Sequence, residues 1–338
     1  MKAGRSFAHV PAWRDFAVAL HFDKVLLASF LLVLKPFSPV CQADGSPISL
    51  PFWLVANTIF VEATVEGRKG NFILDTGSPE LILNCNHFGT TALPGEVGVL
   101  DLHGKKLASP EIQIGGVLLA GTFIPVETAL ALDLSFLERV KKTEVTGILG
   151  AAVFQDFELL FDFANGEIWL FELGKNGCAI GAIVRPAPAD SLAFKMSSHL
   201  PYVEGEFDGK PLRLGIDSGA EVNILDKDVL RNKTIYFTAT GRLNLGGVAS
   251  VKEKQPFGQI DRVCIGEQEM PDFEAVLTDL KHINEGLDVN LHGILGFNFL
   301  RQQKMAVNYR RQKLYFWQAE TVKFQEVATL PMPQLENY

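Results

Sequence analysis

Apolar and polar side chains alternate with a two-residue period along much of this chain, the pattern of half-buried β-strands. Residues 61–84 read VEATVEGRKGNFILDTGSPELILN. They alternate up to a Gly-containing turn, Gly67-Arg68-Lys69-Gly70, then resume in an apolar run, Phe72-Ile73-Leu74, that ends at Asp75. Residues 202–226, YVEGEFDGKPLRLGIDSGAEVNILD, follow the same plan. There the turn is Asp208-Gly209-Lys210, and the run Leu214-Gly215-Ile216 ends at Asp217. Each stretch predicts a β-hairpin with a carboxyl group at the end of its second strand. Another apolar run follows each Asp: Leu81-Ile82-Leu83 in the first case, Val222-Asn223-Ile224-Leu225 in the second.

The correspondence continues downstream. Ile114-Gly115 and Ile265-Gly266 open extended stretches that end near Leu132-Asp133-Leu134 and Leu277-Thr278-Asp279-Leu280. The same tetrapeptide then occurs in both halves, as Gly147-Ile148-Leu149-Gly150 and Gly293-Ile294-Leu295-Gly296. The two Asp are 142 residues apart and the two tetrapeptides 146, close to a single period. A period of this kind sets the architecture. Residues 151–157 and 297–302 have room for one or two helical turns. A terminal hairpin closes each copy, residues 159–171 turning at Asn165-Gly166 and residues 305–317 turning around Arg310-Arg311-Gln312. Gly, Pro and Ala are enriched in residues 174–198, which read as a connection. The expected organisation is an N-terminal segment 1–43, a lobe 44–173, a linker 174–198, a lobe 199–320 and a tail 321–338. The fold class is mainly β: two lobes related by a pseudo-twofold axis, each closed and barrel-like, from an internal duplication. The two Asp loops would face one another across that axis.

Composition adds boundaries to this picture. Of the 338 residues 47% are hydrophobic and 21% charged, which is globular. The net charge of −8 offers no basic surface to nucleic acid. No run of 18 apolar residues occurs, so a conventional spanning helix is not expected. Residues 1–43 stand apart. Lys2, Arg5, Arg14 and Lys24 precede the apolar stretch VLLASFLLVL, and small side chains follow at Cys41-Gln42-Ala43, the layout of a secretory signal. The expectation is a secreted or periplasmic protein cut after Ala43, with an uncleaved membrane anchor as the second choice. Cys85, Cys178 and Cys264 would remain, too few for a disulfide framework, and buried free thiols are expected.

Two carboxyl groups within hydrogen-bonding distance cannot both ionise cheaply, so one pKa falls, the other rises, and the pair holds one proton. The ionised member can take a proton from water while the protonated one polarises a carbonyl, which hydrolyses an amide without metal or covalent intermediate. Gly77 and Gly219 permit sharp turns and close backbone approach. Thr76 and Ser218 supply hydroxyls that can bond across to the opposite loop, and the tetrapeptides can pack behind the loops as strands. No His pair has metalloprotease spacing and no Gly-x-Ser-x-Gly elbow occurs. Histidines 87, 103, 199, 282 and 292 are assigned solvent or core roles, and Cys85 a core role.

Asp75-Thr76-Gly77-Ser78 resembles the active-site motif of the aspartic peptidases, and Asp217-Ser218-Gly219-Ala220-Glu221 is similar to its retroviral-type form. The Gly-Ile-Leu-Gly strings resemble that family's second hallmark, Ile294-Leu295-Gly296-Phe297-Asn298-Phe299-Leu300 most closely. The resemblance covers residues 52–171 and 200–317. It implies a single-chain fusion of two retropepsin-like units, an aspartic endopeptidase with Asp75 and Asp217 as its dyad. Thr76, Gly77, Ser78, Ser218, Gly219 and Ala220 would support the catalytic loops. No metal and no cofactor are implied. The implied partner is a polypeptide substrate in the interlobe cleft, with no nucleic acid, and with a membrane only through an uncleaved N-terminal segment. A monomer suffices. No Tyr or Trp lies between Asp75 and Gly147 where a pepsin-like flap would carry a Tyr. Residues 94–104 and 241–250, Gly-rich and apolar, are the candidate flaps. Because Ser78 can donate to a carboxylate and Ala220 cannot, Asp75 is expected to be the more often ionised member, with activity extending above strongly acid pH. The alternative function is a catalytically inactive peptide- or protein-binding module on the same fold.

Overall fold

The computed structural model describes residues 46–88, 96–100, 106–181, 186–207, 209–231, 237–247, 253–260, 263–270 and 273–317, with backbone alone at 96–100, 106–108 and 253. The expected N-terminal signal and the tail 321–338 lie outside the described residues, as do His103 and the tips of both candidate flaps. All described residues fall within one compact unit, Pro39–Tyr338.

Strands dominate. Ile48–Val55 (β1), Thr58–Val65 (β2) and Arg68–Leu74 (β3) form an antiparallel run. Both of its turns, Ala56-Asn57 and Glu66-Gly67, place two residues at positive φ, the conformation whose twist suits two-residue hairpins. The second turn is therefore tighter than the expected Gly67-Arg68-Lys69-Gly70, since Arg68 to Gly70 already belong to β3. Gly70 is needed there because the Thr146 side chain occupies the space of any Cβ. Next come Ile82–Asn84 (β4), then Glu96–Leu100 (β5) paired antiparallel with Lys106–Gln113 (β6). Val117–Leu119 (β7) and Thr122–Ile124 (β8) form a small hairpin before Thr128–Leu132 (β9) and the helix Ser135–Lys141 (α1). Gly147–Leu149 (β10) runs parallel to β3 and antiparallel to β4, so Ile148 lies between Ile73 and Ile82. One helical turn, Ala151–Phe154 (α2), leads to the hairpin Phe157–Asp162 (β11) and Glu167–Glu172 (β12).

The connection 174–198 is not structureless. It contributes Asp190–Ala193 (β13) and Lys195–Ser197 (β14). Leu200–Phe207 (β15) and Lys210–Ile216 (β16) form the second hairpin, followed by Ile224–Asp226 (β17) and the 3-10 turn Lys227–Arg231. Phe237–Leu245 (β18) pairs with Glu253–Ile260 (β19) in the hairpin that carries the second candidate flap. Val263–Ile265 (β20), Gln268–Met270 (β21) and Phe273–Thr278 (β22) precede one turn of helix, Lys281–Asn284 (α3). Gly293–Leu295 (β23) then threads between β16 and β17 as β10 threads between β3 and β4. Phe297–Leu300 (α4) and the hairpin Met305–Asn308 (β24) with Lys313–Phe316 (β25) complete the described chain. Leu119, not Ile114, is the positional counterpart of Ile265: Leu119 pairs with Ala63 on β2, and Ile265 with Gly205 on β15.

The terminal hairpins abut, with β11 antiparallel to β24 and Leu159 opposite Val307. Strands from both halves thus make one run, β13-β25-β24-β11-β12-β1, which continues into the first-half sheet. Both sheets follow open paths among the described residues, in place of the closed, barrel-like layers expected. The main apolar core draws on both halves, with Leu74, Phe161, Leu214 and Val307 among its members. The three described cysteines are free. Cys178 is exposed, against the expectation of buried thiols, because it sits in the turn-rich connection. No helix among the described residues is long and apolar enough to cross a membrane.

Candidate active site

Each Asp stands where its strand hands over to a turn. The Asp75 N–H donates to the Leu149 carbonyl and the Asp217 N–H to the Leu295 carbonyl, both at 3.0 Å. The central strands β10 and β23 thereby fix the level at which each carboxyl emerges. The turns close through Ser78 N–H to Asp75 O (3.2 Å) and Ala220 N–H to Asp217 O (3.4 Å). The last glycine of each tetrapeptide is sterically required. A Cβ on Gly150 would strike the Glu80 and Ser78 carbonyls, and one on Gly296 would lie 2.5 Å from those of Ala220 and Val222. From these crossings the helical turns start, Ala151 N–H donating to Ser78 O and Phe297 N–H to Ala220 O, each at 2.8 Å.

The two loops meet face to face. The Gly77 N–H lies 2.9 Å from Asp75 Oδ1 and 3.1 Å from Asp217 Oδ1, so both carboxyl groups converge on one donor. Asp75 Oδ1 also accepts from Ser78 N–H (3.1 Å) and Asp217 Oδ1 from Gly219 N–H (2.7 Å). A Cβ on Gly77 would collide with the Asp217 carboxyl group, and one on Gly219 with that of Asp75. Each glycine is the floor on which the opposite carboxyl rests. Beneath them Thr76 N–H donates to Ser218 Oγ and Ser218 N–H to Thr76 Oγ1, both 3.0 Å and fully buried. The Ser218 hydroxyl in turn donates to the Leu74 carbonyl at 3.0 Å.

Burial raises the pKa of Asp75 well above the usual carboxylate value, and the charge of Asp217 and a hydrogen bond with it add to the rise. The N–H groups of Gly77 and Ser78 oppose it less strongly. Asp75 lies deep among protein atoms while keeping part of its surface open. The Ser78 side chain does not supply the hydrogen bond on which the expectation of a more often ionised Asp75 rested. The reason is local: the Ser78 hydroxyl donates to the Glu80 carbonyl (3.1 Å), leaving only its backbone N–H for Asp75.

Several contacts at these loops carry no sequence motif. Lys141, at the end of α1, has a buried ammonium group. It bonds Glu221 Oε1 at 2.6 Å and Thr58 Oγ1 at 2.5 Å, pinning the second Asp loop to the first half. Asn57, at the β1–β2 turn, donates to the Glu221 carbonyl at 3.3 Å. Reciprocally, the His199 Nε2, at the β14–β15 turn, lies 2.8 Å from the Gly77 carbonyl as its donor. His199, expected in a solvent or core role, instead braces the first Asp loop. The Tyr309 hydroxyl is also buried near Thr76 and both Asp. The remaining described histidines stay outside the site, His87 on Glu138 and His292 accepting from the Arg213 N–H.

Residues 203–299 match the family model described as aspartyl protease. The matched stretch runs from within β15 into α4 and contains Asp217 and the second tetrapeptide. It supports an aspartic protease family and spans less than a third of the chain, without reaching the Asp75 loop. No curated protein matches the chain significantly.

Proposed function

We propose that this chain is an aspartic endopeptidase in which Asp75 and Asp217 share one proton and activate water between them. The observation that carries this reading is the Gly77 N–H within hydrogen-bond distance of both carboxyl groups. Burial and the nearby charge of Asp217 favour the protonated form of Asp75. The protonated member of the pair donates a hydrogen bond to the scissile carbonyl, and the ionised member takes a proton from the attacking water. As the tetrahedral intermediate collapses, a proton passes to the leaving amine and the pair regains its single proton. The glycine floors keep the carboxyl groups together at a distance where they must share, and the buried Thr76–Ser218 bonds resist their separation.

The matched strand pairings around β10 and β23 support an origin of the two halves in one duplicated, retropepsin-like unit. In this reading an extended polypeptide lies between the halves beneath the β5–β6 and β18–β19 hairpins. Export follows from the N-terminal pattern, and one chain suffices for a complete site. The test is hydrolysis of a diverse peptide library from about pH 3 to about pH 8, spanning the carboxyl range, by the parent and by Asp75→Asn. Cleavage that falls by about a thousandfold or more in the variant supports the dyad. Equal cleavage by both proteins, or a folded parent inert throughout, refutes it, the latter in favour of a binding module.

A further inference from the structure

The bonds that join the two Asp loops are not symmetric. Backbone and hydroxyl groups of Thr76 and Ser218 bond reciprocally, and the Ser218 hydroxyl donates to the Leu74 carbonyl. The mirror-image bond, from the Thr76 hydroxyl to the Ile216 carbonyl, is not formed among the described residues, although Thr76 is as buried as Ser218. A buried hydroxyl with no acceptor for its proton is costly.

A second buried hydroxyl lies beside it. Tyr309 follows β24, and its ring stands edge-on to Phe194 with centroids 6.2 Å apart. The hydroxyl oxygen is sealed from solvent and meets hydrogen-bond geometry with no group among the described residues. Thr76 is the hydroxyl near enough to act on it, and Asp217 and Asp75 are the charges it feels. Burial above all, and those two carboxyls, push the ionisation of Tyr309 far above its ordinary value, so it remains a neutral donor at any working pH. Among the described residues the Tyr309 hydroxyl, which has no partner, therefore lies close to a Thr76 hydroxyl that accepts from the Ser218 N–H but has no acceptor for its own proton.

We propose that Tyr309 is a positioning residue for the dyad, its O–H donating to Thr76 Oγ1 and turning the Thr76 hydroxyl onto the Ile216 carbonyl to complete the pattern that Ser218 makes with Leu74. The two oxygens stand outside ideal hydrogen-bond geometry in the structure, as catalytic-site hydrogen bonds of free proteins commonly do. The aligned hydroxyl dipoles favour negative charge on the carboxyl pair. This rests on the reading of Asp75 and Asp217 as a dyad, and it assigns a role to a residue outside every motif of the chain.

The test is Tyr309→Phe, which keeps the ring against Phe194 and removes only the hydroxyl. Carboxyl titration by NMR of protein labelled with 13C-aspartate reads the pair directly and needs no catalysis. The upper step of the pair is expected to move upward in the variant, and kcat to fall about tenfold, the size of one hydrogen bond, with KM little changed. Thr76→Val approaches the contact from the other side, and the double variant is expected to be no worse than the poorer single one. A parental titration curve in Tyr309→Phe, or effects of the two substitutions that simply multiply, overturns the proposal. If the parent cuts no peptide, the dyad reading fails on that result, while the titration still decides the role of Tyr309.

Discussion

Glu221→Ala isolates the ion pair that ties the second Asp loop to the first half. The Lys141 side chain is 3% exposed and that of Glu221 41%, with 2.6 Å between Nζ and Oε1. Removing one partner of a fully buried pair costs about 3–5 kcal/mol, because a desolvated charge is left without its counter-charge. Glu221 opens to water on one side, so solvent can replace part of what the carboxylate supplied, and Lys141 keeps its bond to Thr58. The expected loss is therefore about 2 kcal/mol. Lys141→Met removes the buried charge and fills much of its volume, at an expected cost of about 1 kcal/mol. Once Lys141 is gone, Glu221→Ala should cost almost nothing more. Urea unfolding at neutral pH and low salt gives all four corners of the cycle. Glu221→Ala within about 0.5 kcal/mol of the parent, or a double variant equal to the sum of the singles, would refute the argument.

Asp75→Asn should change the pH dependence of stability. A carboxyl group whose folded pKa is raised holds its proton when the unfolded chain has released it. Stability is full below about pH 4, the unfolded value, and falls as pH rises through the folded one. The variant lacks this loss, so its advantage over the parent should grow across that window, by about 1.4 kcal/mol for each tenfold difference in proton affinity, and then level off. Melts at a series of pH values check this, and an advantage independent of pH would sink it. Gly219→Ala puts a methyl group where the Asp75 carboxyl lies. Peptide cleavage is expected to drop by about a hundredfold or more through misplacement, with a stability loss of about 1–3 kcal/mol; cleavage at the parental rate would contradict the glycine-floor geometry.

The carboxyl pair was legible because two short strings recur with their flanking strands, and each local pattern agrees with the partner it meets. The same holds for the central strands, where glycine at both ends of Gly-Ile-Leu-Gly signals crossing backbone. The turn at Glu66-Gly67 lies two residues before the place the pattern suggests, since Arg68 and Lys69 are polar in a strand edge as they would be in a turn. Lys141, His199 and Asn57 were not legible. Each reaches a loop more than 75 residues away, as in the 80 residues from Lys141 to Glu221 and the 122 from His199 to Gly77. Asn57 and His199 bond backbone carbonyls, which any residue can offer. Ser78 follows the same logic: a hydroxyl near a carboxylate in sequence can equally bond a backbone carbonyl, and the chain path presents that of Glu80.

The pairing of β11 with β24 also bears on how the chain is made. Glu158 and Asn308, bonded at 2.7 Å, are separated by 150 residues, so at about 5–20 residues per second the outer edge of β11 waits roughly 8–30 s for its neighbour during synthesis. An open strand edge invites pairing with another nascent chain. β11 carries two acidic side chains, Glu158 and Asp162, both buried in the finished protein. Their counterparts, Asn308 and Lys304, are among the last described residues to emerge. Until then the strand presents negative charge that an apolar stranger cannot neutralise, and the late arrival of its own Lys304 and Asn308 turns that deterrent into a lock.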